Sequence, residues 1–281
     1  MNIKQKIAIE LKDILPHNVL NKVPSGFSLI GHVVILRFTN NVEEKYKKII
    51  GEKLMSLDKR IKTVAEQKNT IETERKPIIT LIAGENNFEV THKEFGTRFY
   101  IDVEKLTFSP GNKHERGRMI VIAKENEIIC DMFACVGNLS LAIAVKKNSI
   151  KVYAIEQNPV AFNYLKKNIS ANKVEDRYTA ILGDNREVTP KNFADRVLMG
   201  YFDIDDEQFK NAVNSINKSG WIHYHLLASK EDLKNKKDIV FSFQKPYNFT
   251  IEEVKVLKVK KFSPRLIHYC MDILISKPNQ N

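Results

Sequence analysis

Four side chains stand where alternating strands and helices would place ligand contacts. The run "CDMFACVGNLSLAIA", Cys130 to Ala144, carries an apolar stretch into Asp131, then through the small residues Ala134 to Gly137 into a helix-like pattern. Glu156 closes the apolar run "KVYAIE", 19 residues after Gly137, and Asp184 with Asn185 follows "YTAIL". In an open parallel sheet, ligands sit beyond the carboxyl ends of the strands, where strand order reverses. An acid ending the second strand can accept both hydroxyls of a ribose. An Asp-Asn pair after the third can receive an exocyclic amino group and present an amide to the ring. This is the chemistry of holding an adenosine.

The phosphate half of a dinucleotide is poorly served. Close backbone approach to a pyrophosphate uses G-x-G-x-x-G, whereas the string here is A-C-V-G-N-L, with Cys135 at the first glycine's place. A negative Glu156 is also poor company for a pyrophosphate. S-adenosylmethionine, an adenosine with an amino acid and no phosphate, suits these residues better. A lone acid at a strand end is often only a solvated loop carboxylate, and Asp131 alone could merely cap the next helix. Their succession at consecutive strand ends argues for a shared ligand. Cys135 reads as a small packing residue rather than a nucleophile.

The elements that must position these groups follow from periodicity. From Glu127 the chain alternates strand and helix: "EIICDMF", "NLSLAIAVKK", "KVYAIE", "NPVAFNYLKKNIS", "YTAIL", "RVLMG" and "WIHYHLL". Asn158 is placed as an N-cap, with Pro159 at the first helical position. In "DEQFKNAVNSINKSG", Phe209, Ala212, Val213 and Ile216 share a helical face and Gly220 is expected as terminator. The last two strands, "FTIEEVKVLKVKKFSP" and "IHYCMDILI", read as a hairpin. The expected fold is α/β: a doubly wound, mainly parallel sheet with a C-terminal antiparallel hairpin. A smaller α+β domain precedes it. There, a helix is expected before Pro16 and a strand pair or one long strand at "FSLIGHVVILRF". A long helix from Asn40 through Ile61 and Val64 is expected next, then strands at "PIITLIA", "FEVTHKE" and "TRFYIDV". The expected domains are 1–105, on the substrate side, and 106–281, binding the cofactor.

Composition bounds the rest. With 281 residues, 43% hydrophobic and 28% charged, the chain can bury a sizeable core. With no membrane-length apolar run or signal-like start, a cytoplasmic protein with no membrane partner is expected; the sequence leaves the oligomeric state open, with a monomer favoured. The cysteines Cys130, Cys135 and Cys270 form no C-x-x-C pair, and the seven histidines show no ligand spacing beside them, so no metal is expected. The net charge is +11, and residues 230–281 hold 11 Lys/Arg against 6 Asp/Glu. Such a balance fits a solubilising surface or a polyanionic partner. Lys258, Lys260 and Lys261 concentrate it.

"DMFACVGNLS", "VYAIEQNPVAFNYLKKNI", "LGDNREV", "DRVLMGYF", "GWIHYH" and "VKKFSPRLIHYCMDI" resemble the fold shared by two families of tRNA-modifying enzyme. One is the tRNA (guanine-37-N1)-methyltransferases, so the resemblance implies a sheet of class I methyltransferase type. The other is the archaeal aminocarboxypropyltransferases of wybutosine synthesis, the tRNA wybutosine-synthesizing protein 2 family. "SGFSLIGHVVILRF" and "VTHKEFGTRFYIDVEKLTFSPGNKHERGRM" extend the likeness over nearly the whole chain. Two departures favour the second family. The methyltransferases carry an Asn-Leu-Pro or Asn-Pro-Pro segment after strand four, where this chain has "MGYF". They also tend to carry "NPR" before their "ER" motif, where this chain has Ser109-Pro110-Gly111.

The resemblance implies transfer of the 3-amino-3-carboxypropyl arm of S-adenosylmethionine to C7 of 4-demethylwyosine at position 37 of phenylalanine tRNA. Adenosyl contacts are implied from Glu156, Asp184 and Asn185, around Asp131, Ala134 and Gly137. Arg116 is the natural partner for the arm's carboxylate, with Ser109 adding a hydroxyl, although Arg116 could instead pair with Glu115. Arg118 reads as a phosphate or surface contact. Tyr201 and Phe202 are a stacking surface for the unstacked anticodon-loop base or simply core. His223 and His225 share a face of the fifth strand, and neither is assigned as the proton acceptor. Guanine methylation and a non-catalytic RNA-binding role are the alternatives, separated by the spent cofactor and by cofactor binding respectively.

Overall fold

The computed structural model describes residues 7, 9–24, 26–38, 41–71 and 76–278. Residues 1–6 and 8 of the expected first helix lie outside them. Its contacts divide the chain into two compact units, Met1–Lys93 with Phe99–Pro110, and Glu94–Arg98 with Gly111–Asn281.

In the first unit, α1 (His17–Leu20) follows Pro16, and β1 (Ser28–Ile30) and β2 (Val33–Leu36) form an antiparallel pair. The helix α2 (Glu44–Leu57) is shorter than its periodicity predicts. Asp58 turns to extended backbone and takes the N–H and guanidinium of Arg60, which ends the helix before Ile61. Val64 belongs instead to β3 (Thr63–Ile71), a strand that the sequence reading missed. It lies parallel to β2 and antiparallel to β4 (Lys76–Gly84), giving a four-stranded sheet in the order β1-β2-β3-β4. Val34, Leu36, Ile50, Leu54 and Val64 form its core, each 2% exposed or less. The strands β5 (Glu89–Glu94) and β6 (Thr97–Asp102) make a separate two-stranded ribbon.

The second unit begins with α3 (Lys113–Ile122). It continues with β7 (Ile128–Asp131), α4 (Leu141–Lys146), β8 (Lys151–Glu156), α5 (Pro159–Ala171), β9 (Tyr178–Leu182) and α6 (Asn185–Val188). Then come β10 (Ala194–Met199), α7 (Asp206–Ser215), β11 (Ile216–Ala228), α8 (Asp232–Ser242), α9 (Gln244–Tyr247), β12 (Thr250–Lys261) and β13 (Ile267–Ser276). The seven strands lie in the order β12-β13-β11-β10-β7-β8-β9. Pairing is parallel from β9 through β11, and β13 is antiparallel to both β11 and β12. The expected α/β sheet with its terminal hairpin is therefore present. Strands covered on both faces read as near-continuous apolar runs. Ile129, Val152, Val197, Leu198, Ile222 and Ile273 are fully buried, each burial stabilising by about 1.5–3 kcal/mol.

Local signals set the helix starts. The Asn158 side chain accepts from the backbone N–H groups of Val160 and Ala161, with Pro159 opening α5. Asp205 and Gln208 form a reciprocal capping box on α7. The end of α7 departs from expectation. The helix stops at Ser215, and Ile216 and Gly220 lie within β11. A Cβ on Gly220 would sit 2.4 Å from the Asp195 carbonyl oxygen of β10, so this glycine permits close strand approach rather than ending a helix. The helices α8 and α9 were also absent from the sequence reading. Of the residues of α8, only Val240 is buried, so its apolar stripe is too thin to read.

Candidate functional site

The sheet order reverses at β7, which has β8 on one side and β10 on the other. At its carboxyl end the backbone leaves Asp131 and makes a tight turn. The Met132 N–H donates to the Leu198 carbonyl, the Ala134 N–H to Ile155, and the Gly137 N–H back to Ala134. Gly137 has φ +88°, and a Cβ there would lie 2.7 Å from the Leu141 Cβ. Cys135 also takes a left-handed conformation, at φ +51°. The turn therefore keeps the glycine-like backbone with a cysteine in it.

That strained amide has a specific partner. The Cys135 N–H donates to Glu156 Oε2 at 2.7 Å, and the Asn158 N–H to Oε1 at 2.7 Å. Burial pushes the Glu156 pKa up while these amides pull it down. The Gln157 amide also acts on this carboxylate, whose oxygens keep acceptor capacity beyond these amides. From the other side, Asn185 Nδ2 donates to the Met132 carbonyl at 2.8 Å, while its buried Oδ1 has no partner. The turn is thus gripped by the residues that end β8 and follow β9. Burial beside Glu156 raises the Cys135 thiol pKa, which suits packing rather than attack.

The other acids are more committed. Asp131 is 1% exposed and accepts from the Ser140 hydroxyl at 2.6 Å and the Phe133 N–H at 3.2 Å. Ser140 Oγ lies a further 2.6 Å from the Tyr178 hydroxyl. Burial raises Asp131 to about 6. Asp184 caps α6 through the Arg186 N–H and carries that arginine's guanidinium at 2.5 Å, which holds its pKa down. An adenine amino group would share this carboxylate with Arg186. Ala134 is fully buried.

Beyond β10, Tyr201 lies flat on Phe133, with centroids 5.4 Å apart and planes 8° apart. Phe202 meets His268 edge-on at 4.8 Å and Phe262 at 5.8 Å. Lys258 and Lys261 are exposed and Lys260 half-buried on β12, the edge strand of the sheet. Arg116 on α3 is 1% exposed, and its Nε donates to Glu94 at 2.6 Å rather than to Glu115. Ser109 belongs to the first unit and is half-buried.

Sequence reasoning missed a buried polar network on the β11–β13 face. Arg118 donates to Glu115 through Nε at 2.9 Å and to Asp272 through both terminal nitrogens. It is half-buried and paired with two buried carboxylates, where a phosphate or surface contact was expected. Asp272 Oδ1 lies 2.6 Å from His223 Nδ1, whose other nitrogen meets Arg196. An arginine has no acceptor, so His223 carries its proton on Nδ1 and donates to Asp272. Arg196 is paired in turn with Glu127, and His225 Nδ1 lies 2.8 Å from His268 Nε2. The signal was alternation. His223 and His225 on β11 face Asp272 and Cys270 on β13, in two otherwise apolar strands. The triads Glu115–His225–Cys270 and His223–Cys270–Asp272 are close enough to hold a metal. Arg118, however, already donates to Glu115, Cys270 and Asp272.

Residues 90–252 match the TRM5/TYW2 methyltransferase domain model, and residues 7–87 match the TYW2 N-terminal domain. The chain is 34% identical to the tRNA(Phe) (4-demethylwyosine(37)-C(7)) aminocarboxypropyltransferase of Pyrococcus horikoshii, over 98% of each chain. The crystal structure of P. horikoshii TYW2 in complex with MeSAdo superposes with a TM-score of 0.81 at 34% identity, covering 98% of this chain and all of that one. The tRNA (guanine(37)-N(1))-methyltransferase Trm5b of Pyrococcus abyssi is 32% identical over 93% of this chain and 78% of its own length. Its structure gives a TM-score of 0.84.

Proposed function

Because the chain belongs to the TRM5/TYW2 family, we propose that it transfers the 3-amino-3-carboxypropyl group of S-adenosylmethionine to C7 of 4-demethylwyosine at position 37 of phenylalanine tRNA. Methylthioadenosine leaves. The observation that carries the reading is Glu156, held at the end of β8 by the Cys135 and Asn158 amides with acceptor capacity left for the two ribose hydroxyls. The MeSAdo bound by P. horikoshii TYW2 supports the same nucleoside.

A bound sulfonium supplies a carbon electrophile, and orientation decides which carbon is attacked. C7 forms a bond to the γ-carbon of the arm, the γ-carbon–sulfur bond breaks with its electron pair going to sulfur, and C7 loses its proton. Alignment of this kind supplies about 7–11 kcal/mol at best. This chain contributes the fixed turn, the Asn185 Oδ1 left without a partner beside it, and the loop Met199–Phe202. That loop lacks the proline segment of the methyltransferases, and its Tyr201 instead lies flat against Phe133. We assign the arm's carboxylate to Arg116. Arg116→Ala should suppress transfer at least tenfold more than it weakens methylthioadenosine, which has no carboxylate. Equal losses for both would make the Glu94 pair purely structural.

The tRNA end is read as the anticodon loop, with Tyr201, Phe202, Lys258, Lys260 and Lys261 as contacts and the first unit on the tRNA side. We infer a cytoplasmic monomer. Among the described residues no helix is long and apolar enough to cross a membrane, and light scattering should return one chain's mass. The second reading, guanine methylation, is favoured by the likeness to Trm5b. One incubation with hypomodified phenylalanine tRNA separates the two. Mass analysis should find the aminocarboxypropyl nucleoside and methylthioadenosine. S-adenosylhomocysteine with a methylated guanine would reject the proposal.

A further inference from the structure

The strand β12 is antiparallel to β13, which is antiparallel to β11, so β12 runs parallel to the strands whose carboxyl ends form the site. Its last residue, Lys261, and the turn that follows therefore lie at that same end of the sheet. The turn is closed by three hydrogen bonds. The N–H groups of Phe262 and Ser263 both donate to the Leu266 carbonyl at 3.0 Å, and the Leu266 N–H donates to Ser263 Oγ at 3.1 Å. On this preorganised turn Phe262 is 49% exposed. One side of its ring meets Phe202 edge-on at 5.8 Å. Lys260, Lys261 and Arg265 flank it, and both Lys261 and Arg265 are exposed.

A half-exposed phenylalanine gains free energy from a ligand that covers it. Here the neighbours choose the cover. Cations on either side disfavour a basic occupant and favour a polyanion. A flat aromatic face among cations fits an unstacked base with its phosphates held alongside. We propose that Phe262 is a stacking platform for a base of the single-stranded tRNA loop, with Lys261 and Arg265 holding the adjoining phosphates. This inference rests on the tRNA reading above and adds a tRNA-binding residue from the C-terminal hairpin.

The test is tRNA affinity at fixed salt for Phe262→Ala, Phe262→Leu and Phe262→Tyr, with methylthioadenosine affinity and thermal unfolding measured alongside. Phe262→Ala should weaken hypomodified tRNA by about ten- to a hundredfold. Methylthioadenosine binding and the unfolding temperature should not change, because the turn is closed by backbone and Ser263. Phe262→Tyr should restore tRNA affinity and Phe262→Leu should not, since leucine supplies area but no face for stacking. Phe262→Ala should leave the salt dependence of binding unchanged, whereas Arg265→Gln should reduce its slope by about one. Rescue by leucine equal to that by tyrosine, unchanged tRNA affinity in the alanine variant, or a matching loss of methylthioadenosine would each overturn the proposal. The spent cofactor reports the reaction class regardless of Phe262, so failure here and failure of the functional reading remain distinguishable.

Discussion

Glu156 serves the site in two ways, and variants can separate them. Its oxygens hold two backbone amides, and its charge and remaining lone pairs are what a ribose would meet. Glu156→Gln keeps one acceptor oxygen and removes the charge. Methylthioadenosine affinity in titration calorimetry should fall about tenfold or more, the scale of a hydrogen bond to a charged group. Unchanged affinity would reject the ribose role. Glu156→Ala should in addition lower the unfolding temperature without ligand, because the Cys135 amide of the turn and the Asn158 amide at the start of α5 lose their acceptor. Sequence placed Glu156 at its strand end but could not show that the carboxylate also fixes the turn. Cys135 is the complementary case. At φ +51° a side chain strains the backbone by roughly 1–2 kcal/mol. Cys135→Gly should therefore leave stability within about 1 kcal/mol of the parent, since relief of strain offsets the entropy glycine loses. Cys135→Val should lose more than that by denaturant titration. Valine tolerated as well as glycine would mean that the turn relaxes. Cysteine in the string was visible; its left-handed backbone was not.

Elements whose polarity follows one period were legible, and those with mixed signals were not. The strands β7 through β11 announce themselves as apolar runs alternating with helices. β3, by contrast, carries Glu66 and Gln67, and its Val64 extends the spacing of α2, so one pattern concealed two elements. The polar face shared by β11 and β13 was half visible through His223 and His225. Its partners on α3 and β13 are distant in sequence, and only the antiparallel register brings His223 opposite Asp272. Arg118 is the member on which this face depends. It neutralises Glu115 and Asp272, whose side chains are 4% and 7% exposed. Removing one partner of a buried ion pair leaves an uncompensated charge and costs about 3–5 kcal/mol. Arg118→Leu should show a loss of that order by chemical denaturation, and Arg118→Lys should recover part of it. A loss below about 1 kcal/mol for the leucine variant would mean that water already solvates the two carboxylates.

Across the whole molecule, buried titratable groups of opposite kind set the response to acid. Burial holds His225 and His268 down at about 3, against about 6.5 in an unfolded chain. The unfolded chain then takes up protons below about pH 6.5 while the folded pair does not. Stability is complete above that pH and falls towards pH 3, by about 1.4 kcal/mol per pH unit for each group. Asp131 acts in the opposite sense. Its folded pKa of about 6 exceeds the unfolded carboxylate value of 3.8, so its contribution is present below about pH 4 and is lost as pH rises through 6. Between pH 6 and 4 the two histidines outweigh the one aspartate, leaving a net loss of about 1.4 kcal/mol per unit of acidification. His223, pushed down by burial, adds to the histidine side, and Glu156, pushed up by burial, adds to the other. Asp272, which His223 and Arg118 hold below the usual carboxylate range, loses its partners' support only in stronger acid. Denaturant midpoints measured from pH 7 to 4.5 should therefore decline steadily. Asp131→Asn removes the opposing group and should make that decline steeper, by up to about another 1.4 kcal/mol per unit. A midpoint that stays level or rises on acidification to pH 5 would show that the histidine pair admits a proton without unfolding.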